Sequence, residues 1–173
     1  PRYLSNFRPV DGTEDAVSAA REFCEGNGRN VLVLAGSVGC GKSHLLESMA
    51  RSLFTSGKST RYILAPILID ELRAAEGKGN VYDLLDRYDA THNLLIDDLG
   101  MERPTEYVLE TFTKMIEKRI QYGSPYNRLV IATNLVREDM VNQYDQRIAD
   151  RLWSTTAQDV KTVVMSAESY RQN

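Results

Sequence analysis

The sequence has 173 residues, of which 42% are hydrophobic and 26% are charged. This composition is typical of one compact domain with a substantial core, and the sequence contains no run of about eighteen apolar residues that would predict a membrane span. The net charge of −3 argues against a surface coated in basic charge for nucleic acid, but it is compatible with a local basic groove. Two cysteines, Cys24 and Cys40, are too few for a disulfide scaffold or a four-ligand zinc site, and we expect a reducing, cytoplasmic location.

Hydrophobic periodicity predicts strands that alternate with helices along the chain. After an irregular segment, apolar residues recur at helical spacing over 13–24, and the continuous apolar run over 31–35 is typical of a strand buried on both faces. The next predicted elements are, in order, a helix over 42–54, a strand over 62–65, short helices over 67–75 and 81–88 separated by a glycine turn at 77–79, a strand over 94–96, a helix between 104 and 122, a strand over 129–132, helices near 137–143 and 145–153, and a weaker strand over 162–165. This alternation predicts a three-layer α/β/α sandwich around a five-stranded parallel sheet, with ligands bound at the carboxyl ends of its strands.

The segment after the first strand matches the phosphate-binding pattern G-x-x-x-x-G-K-[ST] at every fixed position. Its residues are Gly36, Ser37, Val38, Gly39, Cys40, Gly41, Lys42 and Ser43, and we assign the next residue, His44, to the same nucleotide site. Glycines allow a tight turn whose backbone N–H groups converge on phosphate, and the following helix N-terminus favours the same anion. We expect Lys42 to contact the β- and γ-phosphates of ATP and the Ser43 hydroxyl to bind Mg²⁺. The alternative is a chance glycine-rich turn, which its position between a buried strand and a helix disfavours.

Two carboxylates follow the third predicted strand. We expect Asp97 to hold Mg²⁺, directly or through water, opposite Ser43, and Asp98 to polarise the attacking water. The alternative is an acidic turn after the strand, which Leu99 and Gly100 also fit. The phosphate loop makes the metal and water roles the better interpretation.

A series of five segments follows in order along the chain: the phosphate loop, Asp97-Asp98-Leu99-Gly100, Ala132-Thr133-Asn134, Arg147-Ile148-Ala149-Asp150-Arg151-Leu152 and Glu168-Ser169-Tyr170-Arg171. It is similar to the AAA+ domain of bacterial DnaC/DnaI-type replicative helicase loaders and of the related IstB transposition ATPases. The resemblance runs from about residue 7 to residue 171. Walker motifs occur in many ATPases and do not identify a family. The Arg-x-x-x-Arg-Leu segment and the Ser-Tyr-Arg near the end are the features that distinguish this family from other ATPases.

The resemblance implies roles for three further residues. Asn134, at the end of the fourth strand, would be sensor 1, which places the water and senses the γ-phosphate. Arg151 would be the arginine finger that reaches the ATP of the adjacent subunit, and Arg147, one helical turn earlier, would assist it. The alternatives are a strand-end turn for Asn134 and a solvated helix face for the two arginines. Asp98 stands where this class usually has a longer glutamate, so we expect hydrolysis to be slow and to depend on subunit assembly.

The resemblance also implies partners. These are a replicative DNA helicase, single-stranded DNA and further copies of the chain in a helical or ring-like oligomer, with no membrane. In such loaders, helices inserted after the second strand hold the DNA. Residues 66–90 match that place and carry Arg73, Lys78 and Arg87, with Tyr82 and Tyr88 as candidates for base stacking. A solvated helical pair with packed tyrosines is the alternative.

The two ends of the chain depart from the family pattern. Too few residues follow Arg151 for the helical lid of many AAA+ proteins, so we expect the lid to be absent. The chain begins with Pro1, and we expect it to be a piece that lacks an N-terminal, partner-binding domain.

Four functional hypotheses follow. The first is a bacterial or phage helicase loader that uses ATP/ADP and Mg²⁺ and assembles on single-stranded DNA. The second is an IstB-like transposition helper that acts on duplex DNA. The third is a small-molecule kinase, which is disfavoured because Asp97 and Asp98 with Asn134 suit water rather than a substrate hydroxyl. The fourth is a nucleotide switch without turnover.

Overall fold

Five parallel strands form one sheet, as the alternation of strands and helices predicts. The computed structural model describes residues 3–100, 103–121, 127–153 and 159–166, apart from the Asn6 side chain. The strands are β1 (Val31–Gly36), β2 (Thr60–Leu64), β3 (Asn93–Leu99), β4 (Arg128–Thr133) and β5 (Val160–Met165). Their order across the sheet is β2-β3-β4-β1-β5, and every neighbouring pair is parallel. The carboxyl ends of β1, β3 and β4 therefore lie side by side at one edge of the sheet.

Helices cover both faces of the sheet. They are α1 (Glu14–Glu25), α2 (Lys42–Thr55), α3 (Ala65–Lys78), α4 (Val81–Asp89), α5 (Glu106–Gln121), α6 (Arg137–Gln143) and α7 (Gln146–Leu152). In β1, Leu32 and Leu34 pack with α1 and α2, whereas Val31 and Val33 face the cluster formed with the other helices. Both faces of the strand are buried, which explains its continuous apolar run. The predicted three-layer sandwich is confirmed.

Helix α3 differs from its prediction at both ends. The sequence predicts Ala65 as the end of the second strand, but this residue begins α3. Pro66 fits beside it because the first turn of a helix needs no N–H donor there. The sequence predicts Gly77 and Lys78 in a turn, but both residues continue the helix. The helix ends before Gly79, whose φ of 70° is the left-handed conformation common at such ends. The glycines thus predict a turn that is present, but the predicted turn begins at Gly77, whereas the helix continues to Lys78.

Helix α5 lies within the predicted range 104–122 and buries one apolar face. The buried members of this face are Val108, Phe112, Met115, Ile116 and Ile120. Glu110 and Lys114 form an ion pair on the solvent side at 2.7 Å. Among the helices that the structure describes, none combines the length and the apolar character that a membrane crossing requires.

Candidate active site

The predicted phosphate loop connects β1 to the N-terminus of α2. Gly36 leaves the strand with a φ of 154°, and a Cβ added there would lie 2.4 Å from the backbone oxygen of Met165 on β5. Gly41, with a φ of 96°, is the residue just before α2. Both positions therefore need glycine, one for close approach and one for backbone conformation. Strand, loop and helix follow each other as the pattern requires.

The Lys42 ammonium group lies over this loop. It donates hydrogen bonds to the carbonyl oxygens of Gly36 at 2.8 Å and Ser37 at 2.7 Å, and it is 3.6 Å from the Cys40 sulfur. Cys40 is fully buried, whereas Val38 is exposed at the outer side of the loop. The loop thus holds a positive charge in its concave interior, where carbonyl oxygens balance it.

Asp97 receives three hydrogen bonds at the carboxyl end of β3. Its Oδ1 accepts from the Ser43 hydroxyl at 3.2 Å and from the Asp98 backbone N–H at 2.9 Å. Its Oδ2 accepts from the Tyr62 hydroxyl at 2.5 Å. Burial first, and then the bond to Asp97, raise the pKa of Tyr62 well above its ordinary value, so this hydroxyl keeps its proton. Asp97 is buried, with an exposure of only 2%.

The Ser43 and Asp97 oxygens form a ligand set that suits Mg²⁺. They come from positions 54 residues apart in the chain, yet they are in direct contact. Magnesium prefers hard oxygen ligands and is usually bound by one or two carboxylates together with substrate phosphates. The residues therefore fit this ion, with the phosphate loop beside them.

A bulge in β3 sets the position of Asp98. Ile96 pairs with Ile131 and Leu99 pairs with Thr133, so Asp97 and Asp98 lie together opposite a single residue of β4. Asp98 has a φ of 61°, the left-handed conformation, which is costly for most residues but less so for aspartate. Such strain at a site edge is often associated with function. The two carboxylates thus lie in a bulged strand end, not in the acidic turn considered as the alternative, and Gly100 follows them.

The bulge brings Asp98 to Asn134, which follows β4. The Asn134 side-chain nitrogen lies 3.3 Å from Asp98 Oδ1. The two strand ends are tied by Thr133, whose hydroxyl donates to the Leu99 carbonyl at 2.6 Å and accepts from the Leu135 N–H at 3.1 Å. The second carboxylate and the predicted sensor therefore face each other beside the phosphate loop.

Three predicted site residues, His44, Arg147 and Arg151, make their contacts away from the phosphate loop and the two aspartates. The exposed His44 ring packs against Phe7, with their centroids 4.9 Å apart. Arg147 pairs with Asp145, the N-cap of α7, at 3.2 Å, and Arg151 lies 3.9 Å from Glu117. Within the described ranges, no hydrogen bond or ion pair joins either arginine to the phosphate loop or to the two aspartates.

The two tyrosines of α4 that were proposed for base stacking differ in their exposure. Tyr88 is buried, and its hydroxyl donates to Glu71 at 2.7 Å, so the stacking role is wrong for Tyr88 because the ring belongs to the core. Tyr82 is 83% exposed. Lys78 and Arg87 line a polar groove of about 240 Å³ between the two helices. Part of the proposed basic surface therefore remains accessible.

Comparisons with known proteins bear on this site. Residues 16–173 match the family model described as IstB-like ATP binding protein. The chain belongs to this family. The chromosomal replication initiator protein DnaA of Methylacidiphilum infernorum (isolate V4) is 27% identical over 163 residues, which are 90% of this chain and 34% of that protein. The chain thus spans about a third of the length of such a curated relative.

Two solved structures share the fold. One is replication initiator DnaA bound to AMPPCP and single-stranded DNA, with a TM-score of 0.82 and 20% identity, covering 96% of this chain and 50% of that one. The other is the DnaC helicase loader, with a TM-score of 0.77 and 20% identity, covering 95% of this chain and 96% of that one. The P-loop AAA+ fold and the resemblance to loaders and IstB proteins are confirmed. The closing segment 168–171 that supported this resemblance lies outside the described residues.

Sequence reasoning missed two features of the site. The Tyr62 hydroxyl belongs to no motif, and only the pairing of β2 with β3 brings it to Asp97. The bulge was signalled weakly by Gly100, since a glycine at a strand end often marks irregular pairing. Neither feature could be located without the register of the sheet.

Proposed function

We propose that this domain binds ATP with Mg²⁺, hydrolyses it slowly, and uses it to assemble on single-stranded DNA as a helicase loader. The contact between the Ser43 hydroxyl and Asp97 Oδ1, beside the buried Lys42 ammonium, carries the nucleotide part of this proposal. It joins an anion-binding loop to a hard oxygen ligand set, which is the combination that a magnesium–triphosphate complex needs.

The phosphate loop would hold the triphosphate. Lys42 would exchange the carbonyl oxygens of Gly36 and Ser37 for phosphate oxygens, while N–H groups of the loop and of the α2 N-terminus donate to the same anion. Ser43 and Asp97 would hold Mg²⁺, which supplies charge neutralisation at the phosphates. These residues provide binding and orientation rather than covalent chemistry.

Asp98 and Asn134 would act on the attacking water. The Asp98 carboxylate accepts a water proton, and the Asn134 amide, 3.3 Å from it, orients the carboxylate and the water. The short aspartate arm reaches less far than a glutamate, which supports slow turnover. This water-directed pair also supports hydrolysis over transfer to a metabolite hydroxyl.

Arg151 and Arg147 would serve the site of a neighbouring copy. Both side chains are exposed on α7 and make no contact with the phosphate loop of their own chain within the described ranges. A guanidinium group lends positive charge to the transition state only when it reaches the nucleotide. Assembly into a helical or ring-like oligomer would provide that contact.

Lys78, Arg87 and the exposed Tyr82 would contact single-stranded DNA. The likeness to a DnaA structure with single-stranded DNA and to a DnaC helicase loader supports this task and a helicase partner. A transposition helper that acts on duplex DNA is the second candidate, which the IstB-like family model favours.

The test is the ATPase rate per subunit as a function of protein concentration, alone and with single-stranded or duplex DNA of equal length. We expect the rate per subunit to rise with concentration, since each site needs a second copy, and to rise further with single-stranded DNA. Stimulation by duplex DNA alone would favour the transposition helper. A rate per subunit that is independent of concentration would contradict catalysis shared between copies.

A further inference from the structure

Among the residues that the structure describes, Tyr62 donates the one hydrogen bond that Asp97 Oδ2 accepts, an O–H···O bond of 2.5 Å. This separation is typical of a bond between a hydroxyl and an ionised carboxylate, which is about twice as strong as a neutral one. Oδ1 of the same carboxylate faces the Ser43 hydroxyl and the Asp98 N–H. Oδ1 thus faces the phosphate loop, whereas Oδ2 faces β2.

The sheet register explains how Tyr62 reaches this carboxylate. Tyr62 lies opposite Leu95 and Leu64 lies opposite Asp97 in the parallel β2–β3 pair. Because side chains alternate along a strand, Tyr62, Leu95 and Asp97 share the face that α2 covers. The Tyr62 ring leans along the strand toward the carboxyl end, so that its hydroxyl meets the side chain of the diagonal neighbour.

Packing alone does not require the hydroxyl at position 62. The ring is half-buried, and it lines an open groove of about 400 Å³ together with Tyr3, Phe54 and Arg51. A phenylalanine would fill the same space against the sheet. The hydroxyl is needed only for the bond to Asp97, which points to a role at the metal site.

We propose that Tyr62 is a positioning residue for magnesium: its hydroxyl holds Oδ2 of Asp97 and thereby directs Oδ1 to the metal position beside Ser43. This inference rests on the proposed nucleotide site and adds to it a residue outside the phosphate loop and the acidic pair. The terminal torsion of an aspartate is broad, so a carboxylate without this bond turns more freely. Loss of a partner of a metal ligand typically lowers metal affinity about 10–100-fold.

The test compares Tyr62→Phe with wild type, using Tyr107→Phe, on the first turn of α5, as a matched loss of a tyrosine hydroxyl. The affinity for a fluorescent ATP analogue is measured in EDTA and across a magnesium titration. Binding of Mn²⁺ in the presence of a non-hydrolysable ATP analogue is measured by electron paramagnetic resonance. We expect Tyr62→Phe to need about tenfold more Mg²⁺ for half of the affinity gain and to bind Mn²⁺ about tenfold more weakly. Its affinity in EDTA stays at the wild-type value, and high Mg²⁺ restores binding.

Two results in this variant would overturn the inference without bearing on the proposed nucleotide site of the wild-type protein. One is an unchanged magnesium and manganese dependence in Tyr62→Phe. The other is an equal loss of affinity with and without metal, which would indicate a general disturbance of the fold. If wild-type protein gains no nucleotide affinity from Mg²⁺, the proposed function and this inference both fail.

Discussion

The left-handed backbone of Asp98 leads to an unusual prediction about stability. Replacement by alanine or by glycine removes the same carboxylate and the same contact with Asn134. The two variants differ in how they tolerate a φ of 61°. Alanine in this conformation costs roughly 1–2 kcal/mol, whereas glycine adopts it freely. The greater freedom of glycine in the unfolded chain costs about 0.5–1 kcal/mol.

We therefore expect Asp98→Gly to be more stable than Asp98→Ala by about 0.5–1 kcal/mol. For a chain of this size the difference corresponds to about 1–4 °C in Tm. Urea unfolding followed by circular dichroism, with thermal scans of the same samples, measures it. At an ordinary helical position the order is reversed, because alanine favours a helix more than glycine does. Glu110→Ala and Glu110→Gly in α5 are therefore the matched control pair. We expect the alanine variant of this pair to be more stable by about 1 kcal/mol. Equal or greater stability of Asp98→Ala would refute the bulge geometry, provided that the Glu110 pair shows its normal order.

The remaining predictions concern turnover, packing and pH. Arg151→Ala should keep its ATP affinity but lose about 10³-fold in turnover. If sites are shared between copies, mixing this variant with Asp98→Asn should restore part of the ATPase rate. No recovery of the rate would argue against an arginine finger supplied by a neighbouring copy. Gly36→Ala should destabilise by at least about 2 kcal/mol in urea unfolding because its Cβ meets a backbone carbonyl of β5, whereas Gly77→Ala, in open space on α3, should be neutral or stabilising. The arginine beside Asp145 lowers the pKa of that carboxyl, so its contribution to stability is present above the unfolded pKa and is lost as pH falls through the folded one. The Tm difference between wild type and Asp145→Asn should therefore shrink on acidification, and a difference that grows would contradict this sign.

Local patterns predicted most of the fold and the phosphate loop. The loop is contiguous in sequence, and its position between a buried strand and a helix is visible from periodicity alone. Asp97 was predicted for the same reason, since it directly follows an apolar strand. Helix ends were less certain: Gly77 looks like a turn residue, but the buried face of α3 keeps it helical. Such tertiary packing overrides the local preference of a glycine.

Features that depend on register or on another molecule were beyond the sequence. The bulge at Asp98 and the approach of Tyr62 arise from how β3 pairs with its two neighbours. Tyr82 and Tyr88 look alike in a helical segment, and only packing shows that one is buried and the other exposed. The proposed role of Arg151 needs a second copy of the chain, so the structure of one chain shows where the side chain lies but not the contact that the proposal requires.

The central claim is a triphosphate site built from the phosphate loop, Lys42 and a metal held by Ser43 and Asp97. Isothermal titration of ATP into wild type and Lys42→Ala, each with Mg²⁺ and with EDTA, tests it most directly. We predict tight binding by wild type that weakens in EDTA, and binding by Lys42→Ala that is lost or weakened by at least about 100-fold, since a buried charge-assisted contact is worth roughly 3 kcal/mol. Equal affinity of the two proteins for ATP, or wild-type binding that Mg²⁺ does not affect, would contradict the account.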